Sequence, residues 1–370
     1  MGTSGSSRNF ECIRFLRVFA TLLIVYDHFI AFRFPQWLPV HAVQHFFNRP
    51  LFLIQDFGAL GVSLFFIISG FLFAAQVYRT SISGILVKKI VRTILLLALA
   101  TAVFYLLHLI VGLLTGAPTY WSQFNAMQWV TNAFFINYFL GLPDVINGAT
   151  WFLYPLMLFW ILAIPLLKLM QKKPFLSMVV YEAFLVVFFA VSKILNLQTI
   201  PELGYLYSFI PWLMFPLVGM TIAFTYQKTI SIPKGLGLLV VLYLLIVQYF
   251  FSFNLPMYAE QPYIISLLFA AAIFVICLLC ESKFRVNRFV RAFDRISFAT
   301  YLLHMPAGSL IILTLYGILG HVSLALLLGI PVTFIVIYLF HRYVEIPVSN
   351  LLKKVAKVPV PTLPASDEGK

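Results

Sequence analysis

The chain has 370 residues, of which 62% are hydrophobic and only 10% are charged, and its formal net charge is +13. An ordinary soluble domain carries about a quarter charged residues, so a water-exposed globular fold is excluded by the surface it would have to present. Apolar runs of about 20 residues separated by short polar stretches predict an all-α, polytopic integral membrane helical bundle.

Taken in chain order, ten spans are expected. They cover Cys12 to Phe32, Phe57 to Tyr78, Ile90 to Leu114, Trp151 to Leu169 and Phe175 to Leu195. The others cover Tyr205 to Tyr226, Leu236 to Phe253, Tyr263 to Cys280, Ile296 to Tyr316 and Val322 to Tyr343. The run from Ile13 to Ile30 lacks a small-residue cleavage site and reads as a retained first span. Basic residues cluster at the amino-terminal side (Arg8, Arg14, Arg17) and at every even junction, for example Lys88, Lys89 and Arg92, or Lys283, Arg285, Arg288, Arg291 and Arg295. That alternation is the positive-inside pattern and predicts about ten transmembrane helices with both termini cytoplasmic. The positive charge is thereby a topology signal and an attraction for anionic lipid, and needs no nucleic acid. Residues 1–350 are expected to form the membrane domain and 351–370 a short basic cytoplasmic tail, disordered from Pro359 onward. Between the third and fourth spans, Met127 to Phe139 is apolar but too short to cross and reads as an interfacial or re-entrant helix.

Ionisable groups inside apolar helices face protein interior or water-filled cavities. Arg14, Arg17, Asp27 and His28 all sit on the first span. Arg17 and His28 are eleven positions apart, which in an α-helix returns to nearly the same face with about 16 Å between them along the axis. A buried neutral imidazole can accept a proton from a hydroxyl, so His28 is a candidate general base, whereas Asp27 points about 100° away and is not assumed to orient it. The second span carries GVSLFFIISGF, in which the glycines allow close packing and Ser69 can donate to a helix or ligand. Lys89 and Arg92, three apart at the start of the third span, can bind phosphate together. In the ninth span Ser297, Tyr301 and His304 share one face, and Pro306 predicts a kink. Glu345 is expected to pair locally or with the basic face. Cys277 and Cys280, three apart in an apolar helix pattern, read as small buried hydrophobes, and His41 with His45 lacks a third metal ligand.

These pieces resemble the membrane acyltransferase-3 family. Its marker, Arg with ten residues before His, is matched by Arg17 and His28 within IRFLRVFATLLIVYDHF; GVSLFFIISGF is similar to its second-span motif. KKIVR is similar to its Arg-x-x-Arg motif with Lys89 in place of the first arginine, and WFL at 151–153, SFATYLLHMP at 297–306 and YVEIP at 343–347 come next in the family's order. The resemblance implies transfer of an acyl group from cytoplasmic acyl-CoA to a sugar hydroxyl. His28 would be general base or proton shuttle and Arg17 would guide the donor, while Arg14, Lys89, Arg92, Ser69, Tyr301 and His304 would contribute to binding it. Lysine at position 89 keeps the charge but loses the guanidinium fork. Acetyl-CoA is the first expectation and succinyl-CoA the next, the second carboxylate of succinyl finding Arg14, Arg33 or Arg49. No tightly bound cofactor is implied. The expected partners are a glycan or lipid-linked sugar acceptor, membrane lipids and polysaccharide assembly proteins, in a bacterial inner membrane. The competing reading is a transporter or exporter of a glycan or small hydrophilic solute. An inverted-repeat transporter would show a counterpart of the Arg-His pattern in the second half of the chain, and none is evident.

Overall fold

A computed structural model of the chain describes residues 10–53, 57–200, 209–252 and 260–355. Every regular element there is helical. Seven continuous rods are long and apolar enough to cross a bilayer: α2 Gly58–Ala75, α3 Ile82–Thr115, α4 Thr150–Lys172, α5 Pro174–Ile194, α7 Ile232–Phe251, α9 Arg288–Leu319 and α10 Val322–Val355. Two apolar helices, α6 Ile210–Tyr226 and α8 Tyr263–Leu279, are shorter. The first helix, α1 Glu11–Tyr26, continues as a π-turn over Asp27–Ala31. The chain is thus a multi-pass helical membrane bundle.

The rod ends differ from the expected ones in a consistent way. Both α3 and α9 begin eight residues before their expected starts at Ile90 and Ile296, and α10 runs twelve past Tyr343. At 34 residues, α3 and α10 are each about 51 Å long, well beyond a hydrocarbon core of about 30 Å. Their surplus turns are amphipathic and basic, which a search for apolar runs passes over. The start signals are short polar caps: the Ser81 hydroxyl accepts from Gly84 N–H at 3.0 Å, and the Asn287 side chain accepts from Val290 N–H at 2.9 Å. Helix runs through position 350, the expected domain boundary, to Val355 without a break; the expected disordered tail lies outside the described residues.

The single interfacial helix expected over Met127 to Phe139 is instead two pieces, Ala126–Ala133 and Ile136–Phe139. A capping box between Asn125 and Gln128 starts the first, and Phe135, at φ 62°, breaks the chain between them. A left-handed aromatic residue is no part of a hydropathy signal.

Packing is tightest at the centre, where α2 is buried on nearly every side against α1, α6 and α8. Gly70 faces the Pro216 carbonyl and Gly219 faces the Ile67 carbonyl, so that a methyl group on either would overlap the opposing backbone. Reciprocal glycines bring α2 and α6 to backbone contact, as small residues do in membrane bundles. At the start of α1, the Glu281 carboxylate accepts from the N–H groups of Glu11 and Cys12 at 2.8 and 3.0 Å. These are helix-terminal donors that have no partner within the helix, so this contact fixes the end that carries Arg14 and Arg17.

Candidate active site

Five π-turns interrupt the described helices: Asp27–Ala31, Gln44–Asn48, Leu86–Val91, His304–Gly308 and His341–Glu345. Such turns add about one residue to a helical turn and rotate the helix beyond them. Four of the five carry the ionisable groups that the sequence singles out, namely His28, Lys89, His304 and Glu345. Two separate features result: a basic cavity and a histidine pair.

The cavity, of about 430 Å³, is lined by Arg17 of α1, Phe65 and Ser69 of α2, Lys88, Lys89 and Arg92 of α3, Phe152 and Trp160 of α4, and Asp294, Arg295, Ser297 and Tyr301 of α9, together with Glu345. Five cationic side chains thus face two carboxylates. The cations are held in different ways. Arg17 Nε lies 3.2 Å from Asp294 Oδ1. Arg92 donates to Glu345 Oε1 at 2.7 Å and to Ser349 Oγ at 3.0 Å, and Glu345 also meets His341 Nδ1 at 2.7 Å. Lys89 has no carboxylate partner among the described residues; its ammonium lies over the rings of Trp160 and Phe73, at 5.3 and 5.6 Å. A cation held on aromatic faces keeps most of its hydrogen-bonding capacity for a ligand.

His28 and His304 meet with Nδ1 to Nε2 at 2.7 Å. The geometry around His304 fixes the protons. Its Nδ1 lies 2.8 Å from the Tyr301 carbonyl and 3.0 Å from that of Thr300; carbonyls only accept, so Nδ1 carries a proton. With both rings neutral, His304 Nε2 is then an acceptor, His28 Nδ1–H donates to it, and His28 Nε2 carries the free lone pair. Asp27 Oδ2 is 3.7 Å from that Nε2, too far for a hydrogen bond but near enough to stabilise an imidazolium once formed.

The kink that positions His304 has a matching repair. Pro306 has no N–H to offer the Leu302 carbonyl four residues earlier; Asn147 Nδ2 donates to it instead at 3.0 Å. Asn147 is delivered by a loop organised on Asp144, whose carboxylate accepts from Tyr138 Oη at 3.0 Å, from Asn147 N–H at 3.3 Å and from both the N–H and the hydroxyl of Thr150. The Tyr301 hydroxyl donates to Ala149 of the same loop.

Arg17, Ser69, Lys89, Arg92 and Tyr301 therefore share the cavity. His28 and His304 lie beyond it, one turn past Tyr301 along α9. Arg14 does not line it: Glu11 holds it at 3.4 Å and Asp294 lies 4.0 Å away. Arg17 and His28 both face α9, through Asp294 and His304. Sequence reasoning missed Asp294, a lone acid inside a basic stretch that is a visible signal, and Asn147, whose role shows only once Pro306 is opposite it. Among the described residues no group of three or more His, Cys, Asp or Glu is arranged to hold a metal ion.

A family profile described as an acyltransferase domain, the acyltransferase-3 profile, matches residues 10–342. No curated protein and no solved structure matches the chain.

Proposed function

Because the chain belongs to the membrane acyltransferase-3 family, we propose that it transfers an acyl group, acetyl first and succinyl next, from cytoplasmic acyl-CoA to a hydroxyl of an exopolysaccharide or envelope glycan. The setting is a bacterial inner membrane, crossed ten times with both termini cytoplasmic; the basic ends of α3, α9 and α10, which meet through Arg92, Phe298 and Glu345, support that orientation.

The observation that carries the reading is the proton order in the histidine pair. His304, tied to two backbone carbonyls, holds His28 in the tautomer whose Nε2 is a base. The acceptor hydroxyl gives its proton to His28 Nε2, its oxygen attacks the thioester carbonyl, and collapse of the tetrahedral intermediate breaks the C–S bond. The proton passes from His28 to the departing thiolate, leaving free CoA and an ester. Such base catalysis contributes about 10²–10⁴-fold. The donor phosphates bind Lys89, Arg92 and Arg17, with contributions from Ser69 and Tyr301, and the pantetheine arm runs past Tyr301 toward His28. Arg14 acts from behind Asp294, and His304 serves the base more than the donor.

The test is acyl-CoA-dependent labelling of envelope glycans in membranes holding wild type or an equally abundant, folded His28→Ala chain. Labelling by wild type that disappears in the variant agrees with this mechanism; labelling that persists removes His28 from it.

A further inference from the structure

The contact between α1 and α9 has a second rung. His28 and His304 make the first, at 2.7 Å. Five residues on, across each π-turn, Arg33 Nη2 donates to Ser309 Oγ at 2.8 Å. In a turn closed by i to i+5 hydrogen bonds, residues five apart stack on one face, so the Arg33 guanidinium sits about one turn, roughly 5 Å, beyond the histidines on the side away from Arg17.

Arg33 is under-used for a half-buried guanidinium. It has five N–H groups; among the described residues one is taken by Ser309, no carboxylate lies within ion-pair distance, and Nε is buried without a hydrogen bond. Phe32 covers one face of the group at 5.2 Å. Tyr120 lines a separate cavity of about 370 Å³, between the loop after α3 and the far end of α9 at Leu313, Thr314 and Gly317. Ser309, which holds Arg33, immediately precedes Leu310 of that cavity's wall, and neither lines the basic cavity that holds Lys89.

We propose that Arg33, steadied by Ser309, binds a carboxylate of the substrate next to the reacting carbon. A single guanidinium with neutral neighbours matches a single negative charge in the fork geometry that carboxylates favour, whereas a phosphate dianion would call for a second cation. The carboxylate can come from an acidic sugar of the acceptor seated in the 370 Å³ cavity or from the far end of a dicarboxylic acyl group. This inference rests on the transfer reading for the identity of the substrate, but not for the existence of the anion site.

The experiment is direct binding to the purified full chain, with two matched pairs of probes: a glucuronate-bearing tetrasaccharide against its carboxyl-reduced form, and succinyl-CoA against acetyl-CoA. Wild type is expected to bind the member of one pair that carries the additional carboxylate about ten- to a hundredfold more tightly, the range of a charge-assisted hydrogen-bond pair. Arg33→Gln should erase that preference and leave the probe without the additional carboxylate unchanged, and Arg33→Lys should restore part of it. A preference in the saccharide pair assigns the carboxylate to the acceptor; one in the CoA pair assigns it to the donor. No preference in wild type for either pair, or one that survives in Arg33→Gln, overturns the proposal and leaves Arg33 as an interfacial anchor. Binding that depends on Arg33 without any acyl transfer would keep the site and discard the transfer reading.

Discussion

Replacing His304 by phenylalanine keeps a flat ring in the same space while removing the acceptor that fixes His28. In His304→Phe the Nδ1–H of His28 loses its 2.7 Å partner, and the imidazole is free to take the other tautomer or turn away from the substrate. A neutral hydrogen bond contributes about 0.5–1.5 kcal/mol, and one to a group that becomes charged about 1.5–3 kcal/mol. Because His28 becomes an imidazolium as it accepts the proton, the bond strengthens along the reaction, and the transition state should lose about 1–2 kcal/mol more than the bound ground state. At about 1.36 kcal/mol per decade this is roughly a 5- to 30-fold fall in kcat. His304 does not line the basic cavity, so KM for acyl-CoA should stay within about twofold of wild type. Initial rates over a range of donor concentration, on detergent-purified variant with unchanged elution on gel filtration, measure both constants. A kcat within about threefold of wild type, or a loss expressed only in KM, would refute the proton order derived from the carbonyls of Thr300 and Tyr301. His304→Gln, whose amide oxygen can accept from His28, should recover part of the loss.

Lys89→Gln should raise KM for acyl-CoA by about tenfold or more while changing kcat little, since a charged hydrogen bond to phosphate is worth about 1.5–3 kcal/mol; a smaller effect with 3′-dephospho-CoA would identify the phosphate concerned. Asn147→Ala leaves the Leu302 carbonyl without its donor opposite Pro306, and a thermal melt should report a loss of about 1–3 kcal/mol. Gly70→Ala drives a methyl into the Pro216 carbonyl and should cost about 1–3 kcal/mol by overpacking. Gly237→Ala in α7 meets nothing within 4 Å and should be neutral or stabilising by up to about 1 kcal/mol, so equal melts for these two glycine variants would contradict the packing described.

Much of the architecture is legible in the chain because lipid leaves helices few alternatives. The apolar runs locate the rods, and the basic clusters mark the ends where α3, α9 and α10 converge. The first eight residues of α9 are not legible that way, since Arg288, Arg291 and Arg295 erase the hydropathy that would betray a helix; the Asn287 cap carries that information instead. For the site, the spacing of Arg17 and His28 says that both belong to one face, and the structure turns both toward α9. That spacing assumes an unbroken α-helix, and it says nothing of the π-turn at Asp27 or of the partner across the interface. His304 stands out as an intramembrane histidine, yet its pairing depends on Pro306, Asn147 and Asp144 acting together over a long stretch of chain, and no local pattern encodes that.

The π-turns also bear on how this scaffold tolerates change in length. Deleting one residue from the turn at Asp27–Ala31 would restore an α-helix and swing everything beyond it by about 100°, carrying Arg33 off Ser309 while Arg17 stayed against Asp294. The same holds for His304–Gly308 on the facing rod. Each turn works like a keyed coupling in a shaft: the half that grips the cavity and the half that reaches past the histidines are separately indexed. A single-residue insertion or deletion in such a turn would re-aim the residues beyond it while leaving those before it in register.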